Sequence, residues 1–218
     1  MKYPSQPIPE KSQPIPEKKM KDLTWKLLSS EYLFKRPWLT ARRDKVQLPD
    51  GRVNDEYYVL EYPEWVNVVA VTDTGEMVLV RQYRHGIGRT CFEIVAGVVE
   101  KGEEPLDAAK RELMEETGFG GGEWTELMQL SGNASAMNNL SHCFLATGVR
   151  RIGTQHLDAT EDIEVYVMPK EEVRAMLMRG DFVQALMVAP LQRYFFLNEE
   201  THRTAQTAQP SHGDTPSV

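Results

Sequence analysis

The sequence predicts an α+β fold, a mixed sheet sandwiched by helices and preceded by a small antiparallel N-terminal sheet. Three observations on the 218-residue chain point there. Short, strand-like apolar runs separated by turn residues fill residues 23–95. Three helical patterns follow further on, and strands and helices do not alternate as regular βαβ units. The hydrophobic fraction of 41% and charged fraction of 26% are ordinary for a globular chain, which excludes a fibrous or wholly disordered one.

Residues 5–11 read SQPIPEK, and residues 12–18 repeat those seven letters unchanged. Their prolines fix φ and remove backbone donors, so residues 1–20 are expected to form a disordered, PPII-like leader that could dock on a proline-reading module. Residues 21–62 read as an antiparallel β region. Trp25, Leu27, Tyr32 and Phe34 mark one strand or hairpin, residues 38–47 a second strand, and residues 53–62 a third after the turn Pro49-Asp50-Gly51. Three strands are marginal alone, so this sheet needs a partner surface, either the rest of the chain or a second copy.

Residues 63–199 read as the second unit. Apolar runs at 66–71 and 77–80 flank Asp73-Thr74-Gly75, a hairpin turn. Residues 91–95 make another short strand, and further strands are expected at 124–130, 140–147 and 163–168. Helices are predicted over 105–117, 170–178 and about 182–197, with Pro190 kinking or breaking the last. Residues 200–218 are polar and aperiodic and read as a disordered tail.

Charge and cysteine usage narrow the partners. Lys and Arg total 25 against 32 Asp and Glu, and a net charge of -7 opposes a broad grip on nucleic acid backbone. No apolar run approaches the roughly 20 residues that span a bilayer, and the N-terminus lacks the apolar stretch of a secretory signal. Cys91 and Cys143 lie in apolar segments and read as buried, reduced thiols. A cytoplasmic protein without membrane or nucleic acid partners is expected.

The helix at 105–117 is the most informative segment. Pro105 suits its first turn, Glu104 its N-cap and Gly118 the left-handed position past its end. At about 100° per residue, Glu112, Glu115 and Glu116 share an arc of about 100°, beside an apolar stripe of Leu106, Ala109 and Leu113. Three carboxylates on one face repel one another. Arg111 offsets part of that charge. A divalent cation could offset the rest, and an all-oxygen ligand set favours Mg²⁺ or Mn²⁺ over zinc. A solvated acidic face is the plain alternative.

The preceding loop decides between these readings. Gly97, Glu103, Arg111-Glu112, Glu115-Glu116 and Gly118, with apolar Leu113 and Phe119, spell G-x5-E-x7-R-E-U-x-E-E-x-G-U with every position filled. This 23-residue box resembles that of the Nudix hydrolases, and the resemblance in layout extends over residues 21–199. It implies a Nudix-type α/β/α sandwich that hydrolyses a nucleoside diphosphate linked to another moiety with Mg²⁺ (or Mn²⁺). It implies Glu112 and Glu116 as leading metal ligands, Glu115 as a ligand to a further ion, the Ala96 carbonyl as a backbone ligand, and Arg111 and Glu103 as the groups that orient them.

The N-terminal region, Arg81-Gln82-Tyr83-Arg84 and residues 92–97 (FEIVAG) resemble the ADP-ribose and nucleoside diphosphate sugar pyrophosphatases. That likeness implies a homodimer built on the N-terminal sheet, with the base stacked on aromatics such as Trp25, or more weakly Trp38 and Tyr32. It also implies substrate contacts from Arg84 and Glu93. The general base of such enzymes tends to lie on a loop before the last core strand. Here Glu161 fits best, as base or as a further metal ligand, then Asp162. Some relatives carry a second Glu where this chain has Ala159, so Glu115 could act instead.

The proline expected about 15–16 residues beyond the box is absent from residues 131–139, which leaves nucleoside diphosphate sugars other than ADP-ribose open. Other substrates on the same scaffold (dinucleotides, NADH, coenzyme A, nucleoside triphosphates) and a sensor that binds without cleaving remain alternatives, although a sensor would tolerate a degenerate box. His85, His142 and His156 lack metal-ligand spacing.

Overall fold

The computed structural model describes residues 21–36 and 39–207, with side chains described as far as Glu199. The repeated leader and Trp38 lie outside these residues. Three strands, β1 (Lys26–Arg36), β2 (Leu39–Gln47) and β3 (Val53–Glu61), form one antiparallel sheet in that order. The first is a single strand rather than a hairpin. Between β2 and β3, Gly51 takes φ 90 in the predicted Pro-Asp-Gly turn, a conformation glycine adopts without a Cβ penalty.

The larger sheet has eight strands, β4 (Trp65–Thr72), β5 (Glu76–Arg84), β6 (Arg89–Glu93), β7 (Val95–Val98), β8 (Phe119–Gly120), β9 (Glu123–Leu130), β10 (Ser141–Arg151) and β11 (Ile163–Pro169). Strand β4 runs parallel to β10 and antiparallel to β5 and β7, so the sheet is mixed. The strand expected at 91–95 is two strands. β6 pairs with β5 and β7 pairs with β4, and the chain changes neighbours at Ile94, which is fully buried.

Side-chain alternation divides this sheet between two helical layers. Val66, Val68 and Ala70 of β4 pack with Ala108, Ala109 and Leu113 of helix α1 (Pro105–Thr117). Val69 and Val71 turn the other way, onto Val173 and Met176 of α2 (Lys170–Arg179) and Met187, Leu191 and Tyr194 of α3 (Ala185–Thr207). The result is the expected α/β/α sandwich.

Two expectations at the C-terminus need correction. Pro190 does not break α3. It sits near the start of the helix and forfeits one backbone bond, while Leu186, Met187 and Leu191 around it are buried against the sheet. The helix also continues to Thr207, into the segment read as tail. Residues 208–218 lie outside the description.

The two sheets meet at the loop of residues 131–139. Leu60 N–H donates to Ala136 O at 2.7 Å, Asn138 N–H to Leu60 O at 3.3 Å, and Tyr62 N–H to Asn138 Oδ1 at 3.1 Å. Among the described residues, no helix is long and apolar enough to cross a membrane. Cys91 and Cys143 are buried free thiols, and burial pushes that of Cys143 up to about 12.

Candidate active site

Helix α1 begins as predicted, with extended backbone at Glu104 and Pro105 in the first turn. It ends at Gly118, whose φ of 73 is left-handed and whose N–H donates to Met114 O at 2.8 Å. A Cβ at Gly118 would also lie 2.4 Å from Gly153 O, so glycine is required twice over. At the other end of the box, a Cβ on Gly97 would lie 2.0 Å from Glu112 Cδ. The Glu112 carboxylate rests on the bare backbone of β7 and accepts a hydrogen bond from Val98 N–H at 3.2 Å.

Arg111 holds the cluster together. Its Nε and Nη2 fork onto Glu103 Oε1 and Oε2 at 2.9 and 3.0 Å. Nη1 reaches Glu112 Oε1 and Glu115 Oε2, both at 2.9 Å, and Nη2 also donates to Val98 O at 2.9 Å. A planar guanidinium can satisfy so many acceptors at once, whereas an ammonium cannot. Bonding to Arg111 holds the Glu103 carboxyl below its ordinary range, and the same acceptors raise the Arg111 guanidinium. Burial pushes Glu112 up, against the pull of Arg111.

Glu116 is the most frustrated member. It is 4% exposed, and its Oε2 is buried without a hydrogen-bond partner. Burial, then the charges of Glu112 and Glu161, raise its carboxyl well above the usual range, and Arg84 opposes them only in part. A buried, orphaned oxygen among carboxylates suits a hard divalent cation. Glu112, Glu116 and the Ala96 carbonyl would hold it, with Glu115 and Glu161 beside them. Among the described residues no closed ligand set is preassembled, and Arg111 occupies oxygens of Glu112 and Glu115.

A cleft of about 710 Å³ opens beside these groups. Its lining includes Arg84, Glu93, Ala96, Gly97 and Glu161. Arg84 Nε donates to Glu93 Oε1 at 2.9 Å, its Nη2 reaches Oε2, and Glu93 is 1% exposed. This bidentate pair raises the Arg84 guanidinium. Glu161 is held in a tight turn, its Oε2 accepting from Asp158 N–H at 3.0 Å, and it reaches the cleft. Asp162 is exposed and is not among the residues that line it. Glu115 is 42% exposed at its side chain and tied to Arg111.

The lining also includes apolar Trp65, Ile87, Val183 and Leu186 and the amides of Asn67 and Gln184. Sequence reasoning missed these residues. The available signal was Asn67, a lone amide inside an apolar strand run. His85 also borders the cleft.

The structure therefore brings together Glu103, Arg111, Glu112 and Glu115 in one network, and Arg84, Glu93, Ala96, Glu116 and Glu161 beside it. It does not bring Trp25 there within one chain. Trp25 packs edge-on against Tyr57 at 5.7 Å and borders a separate hollow of about 270 Å³ with Lys21 and Arg52. Tyr32 lies on the same sheet, with Lys35 Nζ 3.6 Å above its ring. The loop at 131–139, where the expected proline is absent, is the seam that binds β3.

Comparison with known proteins fits this geometry. Residues 25–60 match the nucleoside diphosphate sugar hydrolase N-terminal domain and residues 62–189 match the NUDIX domain. The chain is 32% identical over 181 residues to an ADP-ribose pyrophosphatase of Bacillus subtilis, covering 83% of this chain and 97% of that one. It is also 32% identical over 172 residues to an ADP-ribose pyrophosphatase of Mycobacterium tuberculosis, covering 78% and 83%. A crystal structure of an ADP compounds hydrolase superposes with a TM-score of 0.73 at 24% identity, over 84% of this chain and all of the other, which shows a common fold. With the box filled, its glycines sterically required and its carboxylates gathered around Arg111, the chain belongs to the Nudix family and is a Nudix hydrolase.

Proposed function

We propose that this hydrolase cleaves the diphosphate link of ADP-ribose or another nucleoside diphosphate sugar, with Mg²⁺ or Mn²⁺, to a nucleoside monophosphate and a sugar phosphate. The observation that carries the reading is the orphaned, buried Glu116 oxygen beside Glu112 and Glu161 at the edge of the cleft. The N-terminal match to nucleoside diphosphate sugar hydrolases supports the substrate class.

A bare diphosphate is repelled by the carboxylates. A divalent cation bound by Glu112, Glu116 and the Ala96 carbonyl would screen that repulsion and acidify a water. Arg111 holds Glu112 and Glu115 in place, and Glu103 fixes Arg111 in turn. Glu161 is the proposed general base, since of the three candidates it alone lines the cleft. It takes a proton from the attacking water, whose oxygen joins one phosphorus as the bridging P–O bond on the far side breaks. Arg84, pinned by Glu93, offers positive charge to the phosphates.

The proposal extends to a cytoplasmic homodimer. Every residue of β1 is exposed, and Leu27, Leu28, Leu33 and Phe34 stand among large apolar side chains in water. A second copy would cover them, and Trp25 or Trp38 would then stack the base. Purified protein incubated with Mg²⁺ and a panel of nucleoside diphosphate sugars tests the activity. Release of a nucleoside monophosphate is expected, and its absence from every substrate with folded protein would overturn the reading.

A further inference from the structure

We infer that Trp65, Asn67 and Gln184 form the subsite for the sugar half of the substrate, inside a single protomer. The inference rests on the proposed substrate class but names a site which that reading does not require. Trp65 and Asn67 are alternate residues of β4, so both side chains face the α3 layer rather than the α1 layer. Asn67 pairs across the sheet with Ala96, and Trp65 with Val98. The subsite thus begins one rung from the carbonyl proposed to hold the cation, close enough for a group joined directly to a phosphate.

The chemistry of this wall suits a sugar. The ring edge of Trp65 and the side chain of Leu186 both approach within 3.7 Å of the point where a Cβ on Gly132 would stand. Tyr62 braces the indole from another side, with centroids 5.3 Å apart. Among the described residues the Trp65 indole N–H makes no hydrogen bond. Asn67 is 1% exposed, yet it lines the cleft. Its Oδ1 accepts from Ser141 Oγ, while its Nδ2 meets only the thioether of Met187 at 3.7 Å.

A sulfur is a weak acceptor, so a buried amide donor is left with unspent hydrogen-bonding capacity. A hydroxyl-bearing ring satisfies all three features: C–H bonds against the indole, and oxygens toward Asn67, Gln184 and the indole N–H. A nucleobase could use the same aromatic face and amides, so AMP is the competing occupant that the test must separate from a sugar phosphate.

The test is titration of the full-length protein, with Mg²⁺, by ribose 5-phosphate, glucose 1-phosphate and AMP, followed calorimetrically. Wild type should bind at least one sugar phosphate. Trp65→Ala should weaken that binding about 10-fold, with Trp65→Tyr restoring most of it, and AMP binding should change less than about twofold. Gln184→Ala, which keeps the backbone carbonyl that caps α3, should weaken sugar phosphate binding severalfold without a change in melting temperature. The inference is overturned if wild type binds neither sugar phosphate, if Trp65→Ala leaves their affinity unchanged, or if AMP is the ligand that loses affinity. Absence of hydrolysis with sugar phosphate binding intact would instead overturn the proposed activity and leave this subsite standing.

Discussion

The two sheets of this chain bury their strands to opposite degrees. In β4, seven of eight residues are buried, because helices cover both faces. In β1, all eleven are exposed, and β2 is its paired neighbour. Hydrophobic stabilisation scales with apolar area removed from water, so the large sheet is completed by its own helices and the small one is not. The difference separates two tasks. The covered sheet can hold carboxylates in fixed, costly positions. The uncovered one leaves the apolar side chains that a second copy would cover in the proposed dimer.

The sharpest test of the covered sheet is Glu116→Gln. Loss of one charged oxygen at the proposed cation site should lower kcat on the order of 10²–10³-fold, with the fold intact by circular dichroism. Retention of near-wild-type turnover would remove Glu116 from the mechanism. Gly97→Ala should come next. Its new Cβ would displace Glu112, costing about 1–3 kcal/mol in urea unfolding together with most of the activity. Arg111→Lys, which cannot fork, should weaken apparent metal affinity about 10–100-fold in a Mg²⁺ titration of activity.

Smaller effects follow from titration. The folded protein without divalent cation raises the Glu116 carboxyl, so between the ordinary carboxylate value and the raised one the folded state binds more protons than the unfolded state. The Glu116 contribution therefore favours folding at acid pH and is lost as pH rises through that window. Glu112 titrates in the same sense, while Glu103 is lowered and contributes stability that is lost as pH falls. Comparing wild type with Glu116→Gln in chelator isolates the first. The two should melt alike near pH 4, and the variant should melt higher near pH 8. Added Mg²⁺ should narrow or reverse the gap.

The smallest expected effect on the large sheet comes from breaking the small one. Phe34→Asp on β1 should convert a dimer to a monomer in sedimentation at micromolar concentration, while the main thermal transition moves by less than about 4 °C. A wild-type monomer would show that β1 is tolerated bare and would end the comparison on that side.

Much of the fold was legible because local rules dominate it. The bounds of α1 follow from Pro105 and Gly118, and the hairpins from Pro49-Asp50-Gly51 and Asp73-Thr74-Gly75. The box residues were legible because a motif built on one helix and the loop before it is local in sequence. What stayed hidden was non-local. The strand at 91–95 divides at Ile94 because its two halves find different partners, β5 and β4. Pro190 leaves α3 unbroken because packing outweighs one lost hydrogen bond. The 131–139 loop gave no local sign of its partner, and its backbone and Asn138 bind Leu60 and Tyr62 at the end of β3.

The sequence by itself determined that carboxylates would crowd one helical turn, since a period of 3.6 residues allows nothing else, and that an arginine and a glycine would accompany them. Only the tertiary structure decided which of those carboxylates keeps a buried oxygen without a hydrogen-bond partner. It also decided that Arg84 is locked to Glu93, and that Trp65 and Asn67 share a cleft wall with residues of α3 and the segment before it. Burial and cross-strand neighbours are properties of packed elements. They arise when distant segments exclude water together, and no single stretch of chain contains that information.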